Sequence, residues 1–123
     1  MLHIESHLFD EPRALQAVEK ANIIITVHGQ IDQKDEFVMI GGLHDNLRLK
    51  IRQQLEAVGF QTRPPTGGLM GTDPMNICNR GKRKQGVQLE ISRKVRDLLR
   101  TEREKIETFA NAVRKAISIM FSR

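Results

Sequence analysis

The sequence is poor in cysteine and in the larger aromatic residues. Its 123 residues include one cysteine and neither tryptophan nor tyrosine. A lone cysteine excludes an intramolecular disulfide and a Cys-x-x-Cys zinc or redox site, and it fits a reducing compartment. Any metal must then rest on histidine, aspartate or glutamate. Cys78 has no neighbouring histidine, and we interpret it as a buried small hydrophobe rather than a nucleophile.

Long hydrophobic runs are also lacking. Apolar windows such as 23–27 are too short to cross a bilayer. The N-terminal stretch MLHIESHLFDEP has neither the basic nor the apolar region of a secretory signal. We therefore expect a cytoplasmic chain with no membrane partner.

Positive charge is concentrated in one block of the chain. Residues 80–105 contain ten basic and four acidic side chains, whereas the rest contains ten basic and eleven acidic ones. The block predicts either an anionic partner, such as an acidic polymer or nucleic acid, or a solvated helix face. Five phenylalanines are the only large aromatic side chains. Single-stranded nucleic acid would therefore find little to stack on, whereas duplex phosphates stay open as partners.

Apolar spacing and turn residues predict an α/β fold. Helices are predicted at 12 to about 20 with Asp10 as N-cap, at 43–58, at 92–99 and after a capping box at 101–104. Strands are predicted at 23–27, 37–40 and 87–91. A long loop is predicted at 61–86. The β-branched run 23–27 predicts a strand buried on both faces. The alternation favours one α/β domain over residues 1–123. Because buried strands need neighbours, we expect either that the sheet is small or that part of it is missing or supplied by another chain.

Two candidate catalytic side chains lie in or next to predicted strands. His28 follows the β-branched run and precedes Gly29, so its imidazole should emerge at a strand end. It fits a metal ligand or a hydrogen-bonded structural residue. Glu90 lies in the apolar strand 87–91, where burial would raise the pKa of its carboxyl toward the range of a general base. The alternative for Glu90 is an ion pair with an arginine.

Two further groups of polar residues are candidates for binding. An adjacent amide and guanidinium, Asn79 and Arg80, can hold a carboxylate through directed hydrogen bonds, or they can attach their loop to backbone carbonyls. His3, Glu5 and His7 alternate and would share one face of a strand. That pattern resembles a metal cluster and equally fits an exposed edge.

Five ordered motifs resemble one protein family. They are FDEP at 9–12, VHG at 27–29, IGGL at 40–43, NICNRG at 76–81 and GVQLEIS at 86–92. Spread from residue 2 to about residue 99, they resemble the phage-associated poly-γ-glutamate hydrolase family, whose members look like zinc carboxypeptidases. The resemblance implies a mixed β-sheet flanked by helices with zinc at the strand ends. It also implies hydrolysis of γ-glutamyl amide bonds in an acidic polymer.

The resemblance assigns roles to four residues of this chain. It implies that His28 is a zinc ligand, that Glu90 is the general base acting on zinc-bound water, and that Asn79 and Arg80 hold a substrate carboxylate. Family members usually begin with a further segment whose His-Gly-Gly and glutamate supply two more zinc ligands and a strand. Nothing in this sequence corresponds to that segment.

The expected protein is therefore a truncated or prophage-derived relative, incomplete at its N-terminus, that lacks two of the expected zinc ligands. His3, Glu5 or His7 could replace the lost ligands, and a partner chain or a second copy could complete the sheet. The expected partner is poly-γ-glutamate, and release by phage lysis would bring the chain to it. The alternative is a non-enzymatic basic module that binds nucleic acid or another polyanion.

Overall fold

The computed structural model describes residues 12–67 and 70–121. The elements in chain order are α1 (Pro12–Lys20), β1 (Ile25–Gly29), β2 (Val38–Gly41), α2 (Asp45–Ala57), β3 (Thr62–Arg63), a 3-10 helix (Ile77–Asn79), β4 (Val87–Ile91), α3 (Arg93–Thr101) and α4 (Arg103–Phe121). Across the described residues no helix combines the length and the hydropathy needed to span a bilayer. Asp10, the predicted N-cap of α1, lies outside the described residues.

The four strands of the described residues form one mixed sheet. Their order is β1-β4-β2-β3, with β1 parallel to β4, β2 antiparallel to β4 and β3 parallel to β2. This confirms the predicted mixed β-sheet flanked by helices. Strand β3 was not predicted, because two residues inside a loop are too few to show a periodic pattern.

One face of the sheet packs against α2, α3 and α4. Side chains alternate along a strand, so Val87, Leu89 and Ile91 of β4 all point to this face. The buried apolar cluster that they join is Val38, Ile40, Leu47, Ile51, Leu55, Phe60, Val87, Leu89, Ile91, Val95, Phe109, Ala112 and Ala116. Gln88 and Glu90, the intervening residues of β4, therefore point to the opposite face of the sheet.

Helix α2 follows its predicted pattern closely. The buried residues are Leu47, Ile51 and Leu55, which recur on one side of the helix. His44 is the N-cap, and its Nδ1 accepts a hydrogen bond of 3.2 Å from the backbone N–H of Leu47. Gly59 follows the helix with a φ of 95°, a left-handed conformation that favours glycine after a helix end.

The capping box predicted at 101–104 is wrong. Thr101 is the last residue of α3, and its Oγ1 donates a 2.8 Å hydrogen bond back to the carbonyl of Asp97. The hydroxyl therefore bonds into the helix that precedes it and leaves the first N–H groups of α4 uncapped by this side chain.

The prediction of a strand at 23–27 buried on both faces is also wrong. Strand β1 begins at Ile25 and ends at Gly29, and its Val27 is 60% exposed. Within the described residues β1 pairs with β4 alone, so it lies at an edge of the described sheet. His28 consequently belongs to the strand itself, one residue before its end.

The loop before β4 makes an unusually close approach to the sheet. The carbonyl oxygen of Cys78 lies against Gly86 so closely that a β-carbon at residue 86 would overlap it, and the carbonyl oxygen of Ile24 would be 2.6 Å away. Both obstacles are backbone atoms, so neither can turn aside. Gly86 therefore lets the 3-10 helix pack on the start of β4.

We predict that Gly86→Ala lowers the free energy of unfolding by at least about 2 kcal/mol, because the added methyl group overpacks a contact between backbone segments. Urea denaturation followed by circular dichroism measures the change. Gln85→Ala, at the exposed neighbouring position, is the control and should change the free energy by about 0.5 kcal/mol or less. Equal stabilities of the two variants would contradict the close approach.

Candidate active site

Strands β1 and β4 bring a histidine and a glutamate side by side. His28 is aligned with Glu90 in the parallel pairing of the two strands. Aligned residues on neighbouring strands point to the same face, and the strands are about 5 Å apart. The pair lies at the carboxyl ends of β1 and β4, where open α/β sheets bind their ligands.

Glu90 is enclosed within the sheet. It is 5% exposed, with His28 as its partner on one side and Met39 of β2 on the other. Burial raises the pKa of its carboxyl from 4.5 to about 7, because the charged form loses its hydration. Among the described residues no ion pair joins Glu90 to an arginine. The carboxyl therefore has the properties of a general base near neutral pH.

The imidazole of His28 is half-buried beside this carboxyl. The structure gives its buried Nε2 atom no hydrogen bond, while the residue does interact elsewhere. A neutral imidazole nitrogen in a buried position next to a carboxyl is chemically suited to bind a metal ion.

A complete zinc site is not present in the part of the chain that the structure describes. There, no three histidine, cysteine, aspartate or glutamate side chains lie close enough to hold a metal ion. A catalytic zinc ion takes three protein ligands and an open position, so His28 by itself does not fit the full requirement. The sequence candidates for further ligands, His3, Glu5 and His7, lie outside the described residues.

Asn79 holds its own loop together. It is 1% exposed, and its amide group donates to the carbonyl oxygens of Gly71 at 2.7 Å and Asp73 at 3.0 Å. Its Oδ1 accepts from the backbone N–H groups of Leu43 at 3.2 Å and Gly86 at 3.1 Å. Because both amide hydrogens are taken, the structure favours loop attachment for Asn79, and contact with a substrate stays a prediction.

Arg80 lies toward the opposite end of the parallel strands from the His28–Glu90 pair. Its neighbour Gly81 is packed against the carbonyls of Ala21 and Asn22, just before β1 begins. The extended chain from Gly86 to Glu90 advances four residues, which corresponds to about 13 Å. The structure thus joins His28 with Glu90 and separates the Arg80 backbone from them by roughly the length of a strand.

A loop covers the part of the sheet face between these two positions. The Asn76 side chain donates a 3.0 Å hydrogen bond to Oε1 of Gln88, which shares its face of β4 with Glu90. Sequence reasoning did not single out this pair, although Gln88 shows the same alternation as Glu90.

Burial raises the pKa of the nearby Cys78 thiol to about 12, so this cysteine is inert at neutral pH.

The basic block 80–105 divides into two parts. The side chains of residues 82–84 are exposed on a loop. On α3, Arg93 and Arg100 are paired with Asp97 at 3.7 Å and 3.1 Å. The two arginines on α3 thus share one carboxylate, as on the solvated helix face that was one of the two predicted interpretations, and the loop carries three further exposed basic side chains.

Comparison with protein families identifies the chain. The family model described as poly-gamma-glutamate hydrolase matches residues 1–116. The chain belongs to the poly-gamma-glutamate hydrolase family. The family predicted from the five sequence motifs is thereby confirmed.

Curated relatives in this family are longer proteins. The SPbeta prophage-derived UPF0714 protein YoqZ of Bacillus subtilis (strain 168) is 35% identical over 115 residues, which are 92% of this chain and 39% of YoqZ. The UPF0714 protein YmaC of the same organism is 33% identical over 98 residues, which are 78% of this chain and 41% of YmaC. The chain therefore spans about two fifths of the length of these relatives.

Two solved structures share the fold. A bacteriophage poly-gamma-glutamate hydrolase is 28% identical, with a TM-score of 0.86, and the match covers 97% of this chain and 63% of that structure. A zinc-free apo form of YndL is 25% identical, with a TM-score of 0.88, and the match covers 97% of this chain and 64% of that structure. The two structural matches thus cover nearly all of this chain.

We predict that Glu90→Gln changes the pH dependence of stability. Because burial raises the pKa of Glu90 to about 7, the folded protein binds a proton that the unfolded chain has already lost between pH 4.5 and 7. Wild-type stability should therefore fall by up to roughly 3 kcal/mol as the pH rises through this range. Glu90→Gln should lack this decline.

Chemical denaturation of both proteins at a pH below 4.5 and at one above 7 measures the effect. Relative to Glu90→Gln, the wild type should be less stable at the higher pH than it is at the lower pH. Parallel stability curves across the range would mean that the Glu90 carboxyl is not buried as described.

We also predict that removal of the Asn79 side chain destabilises the folded protein. Asn79→Ala removes four hydrogen bonds from a buried loop and should lower the free energy of unfolding by about 2–4 kcal/mol. Asn22→Ala, which removes the same side chain from an exposed position, is the matched control. A loss for Asn79→Ala no larger than that control would show that the loop does not depend on it.

Proposed function

We propose that the chain carries a hydrolytic site for γ-glutamyl amide bonds in poly-γ-glutamate, with zinc as its cofactor. The observation that supports this most strongly is the alignment of His28 with Glu90 at the strand ends of a member of this family. A similar solved structure is named a bacteriophage poly-gamma-glutamate hydrolase. Because the chain spans only part of its relatives, the activity itself belongs to the proposal.

In this proposal Glu90 is the general base. Its carboxylate takes a proton from a water molecule, and the water oxygen attacks the carbonyl carbon of the scissile amide. The carbon–nitrogen bond then breaks, and Glu90 returns the proton to the departing nitrogen, which leaves as an amine. A pKa of about 7 allows the same group to accept and to donate this proton near neutral pH.

His28 is the residue that would contribute to holding zinc. When bound, zinc polarises a carbonyl and lowers the pKa of water. The description of the YndL structure as zinc-free and apo supports zinc as the relevant metal. The described residues contain no complete ligand set, so we assign no step of the reaction to the metal, and the other ligands would have to come from outside them.

Arg80 is the proposed contact for a substrate carboxylate. A guanidinium can grip a carboxylate through two parallel hydrogen bonds. Asn79 positions it, because its hydrogen bonds hold the loop that carries Arg80. The strand-length separation between Arg80 and Glu90 suits a chain with repeated carboxylates better than a single glutamate, and the exposed basic residues 82–84 extend the positive surface.

Other parts of the proposal concern the setting of the protein. YoqZ is described as prophage-derived, which agrees with a phage-related origin. A cytoplasmic location, release by phage lysis, a single domain over 1–123 and a second chain that completes the sheet stay predictions.

The purified protein supplied with Zn²⁺ should shorten poly-γ-glutamate. Glu90→Gln should lower kcat by at least about 100-fold, because a glutamine amide cannot take the proton. Arg80→Lys should raise KM several-fold and change kcat less, since lysine lacks the two-pronged grip. Size-exclusion chromatography of the polymer, together with assay of newly formed amines, measures the reaction. Arg100→Lys makes the same exchange at an exposed position of α3, so it is the matched control and should leave KM and kcat unchanged.

A wild type that matches Glu90→Gln, with and without Zn²⁺, would exclude the hydrolytic proposal for this chain. The alternative, a non-enzymatic polyanion-binding module, predicts binding that weakens steeply with salt and is unchanged in Glu90→Gln. Titration of the polymer and of duplex DNA at several salt concentrations therefore distinguishes the two.

A further inference from the structure

The end of β1 has an anchor besides its strand pairing. Among the described residues β1 pairs with β4 alone, and the last aligned pair is Gly29 with Ile91. This is one residue beyond the His28–Glu90 pair. An edge strand held on one side frays readily at its end, so the position of His28 depends on what holds the strand there.

Arg96 of α3 bridges the two strand ends. Its Nη1 donates to the carbonyl oxygen of Gln30 at 2.8 Å and to that of Ile91 at 2.7 Å. Gln30 directly follows β1, and Ile91 is the last residue of β4. The backbone N–H of Gln30 also donates to Ile91 at 2.8 Å. One guanidinium nitrogen with two hydrogens therefore ties β1 to β4 immediately past the candidate site.

Gly29 leaves the space through which this side chain passes. A β-carbon at residue 29 would lie 2.8 Å from Nη1, 3.1 Å from Cζ and 3.4 Å from Cδ of Arg96. The obstacle is the far end of a long side chain, which can swing away. Adding a methyl group at residue 29 should therefore displace the guanidinium from the two carbonyls and leave the strands intact.

We infer that Arg96 is a positioning residue that holds His28 beside Glu90 by clamping the end of β1 to β4, and that residue 29 is glycine to admit its side chain. This inference rests on the proposed function for its consequence in catalysis, whereas the clamp itself is a property of the fold. Arg96 touches neither member of the pair in this role and acts through the backbone of both strands.

Hydrogen exchange at the Gln30 amide tests the clamp. Arg96→Met and Gly29→Ala should each speed exchange of this amide by about tenfold or more, which corresponds to the loss of charge-assisted hydrogen bonds. Arg96→Lys should restore part of the protection, because an ammonium group can still donate to both carbonyls. Arg100→Met, which removes the same charge from the same helix without touching a strand end, should exchange at the wild-type rate.

The double variant tests the link between Gly29 and Arg96. Arg96→Met removes the two nearest obstacles to a methyl group at residue 29, Nη1 and Cζ. Gly29→Ala combined with Arg96→Met should therefore exchange at the rate of Arg96→Met alone. Additive effects, or a Gly29→Ala variant with wild-type protection, would overturn the role assigned to Gly29. Wild-type protection in Arg96→Met would overturn the clamp. Should Arg96→Met fail to fold, Gly29→Ala carries the test, because it leaves the core unchanged.

Positioning is tested separately from folding. The nuclear Overhauser effect between the His28 ring and the Glu90 side chain should weaken in Arg96→Met and stay at wild-type strength in Arg100→Met. In an active protein Arg96→Met should lower kcat about tenfold with little change in KM, since the substrate contacts are intact. An unchanged Overhauser effect would overturn the positioning role. Absence of hydrolysis in the wild type would count against the proposed function alone, because the exchange and Overhauser measurements need no substrate.

Discussion

The parallel pairing of β1 with β4 is the interaction on which the candidate site depends. It aligns His28 with Glu90 on one face of the sheet. Because side chains alternate along a strand, a slip of one residue in this pairing would turn the imidazole to the helix-covered face and leave the carboxyl alone. Strand β4 lies between β1 and β2 and is buried along its whole length. This buried strand therefore provides the fixed partner against which β1 takes its register.

Burial of β4 also provides the chemistry. Helices α2, α3 and α4 cover one face of the strand with apolar side chains, and the loop that includes Asn76 covers the other face at Gln88. Glu90 points to this second face between His28 and Met39 and is 5% exposed. Its carboxyl therefore loses hydration, which raises the pKa of Glu90 to about 7. The same enclosure makes the charged carboxylate costly to the fold, so stability and acid–base function oppose each other at this residue.

Local patterns predicted the elements whose burial follows from their own sequence. Helix α2 has its apolar residues at helical spacing, and β4 alternates, so both were predicted near their observed bounds. The burial of β1 was not predictable, because its run of β-branched residues looks the same in a central strand and at a sheet edge. Thr101 shows the same limit, since its hydroxyl can cap the following helix or bond back into the preceding one.

The amino-acid sequence by itself determined the family, the α/β class and the identities of His28, Glu90, Asn79 and Arg80 as the chemically informative side chains. Only the tertiary structure decided that His28 and Glu90 are neighbours, that Asn79 is committed to its loop, and that Arg80 lies toward the other end of the strands. These outcomes depend on strand register and on hydrogen bonds between segments far apart in the chain. Such contacts form only when distant segments meet in the folded chain, so a local pattern of residues does not predict them.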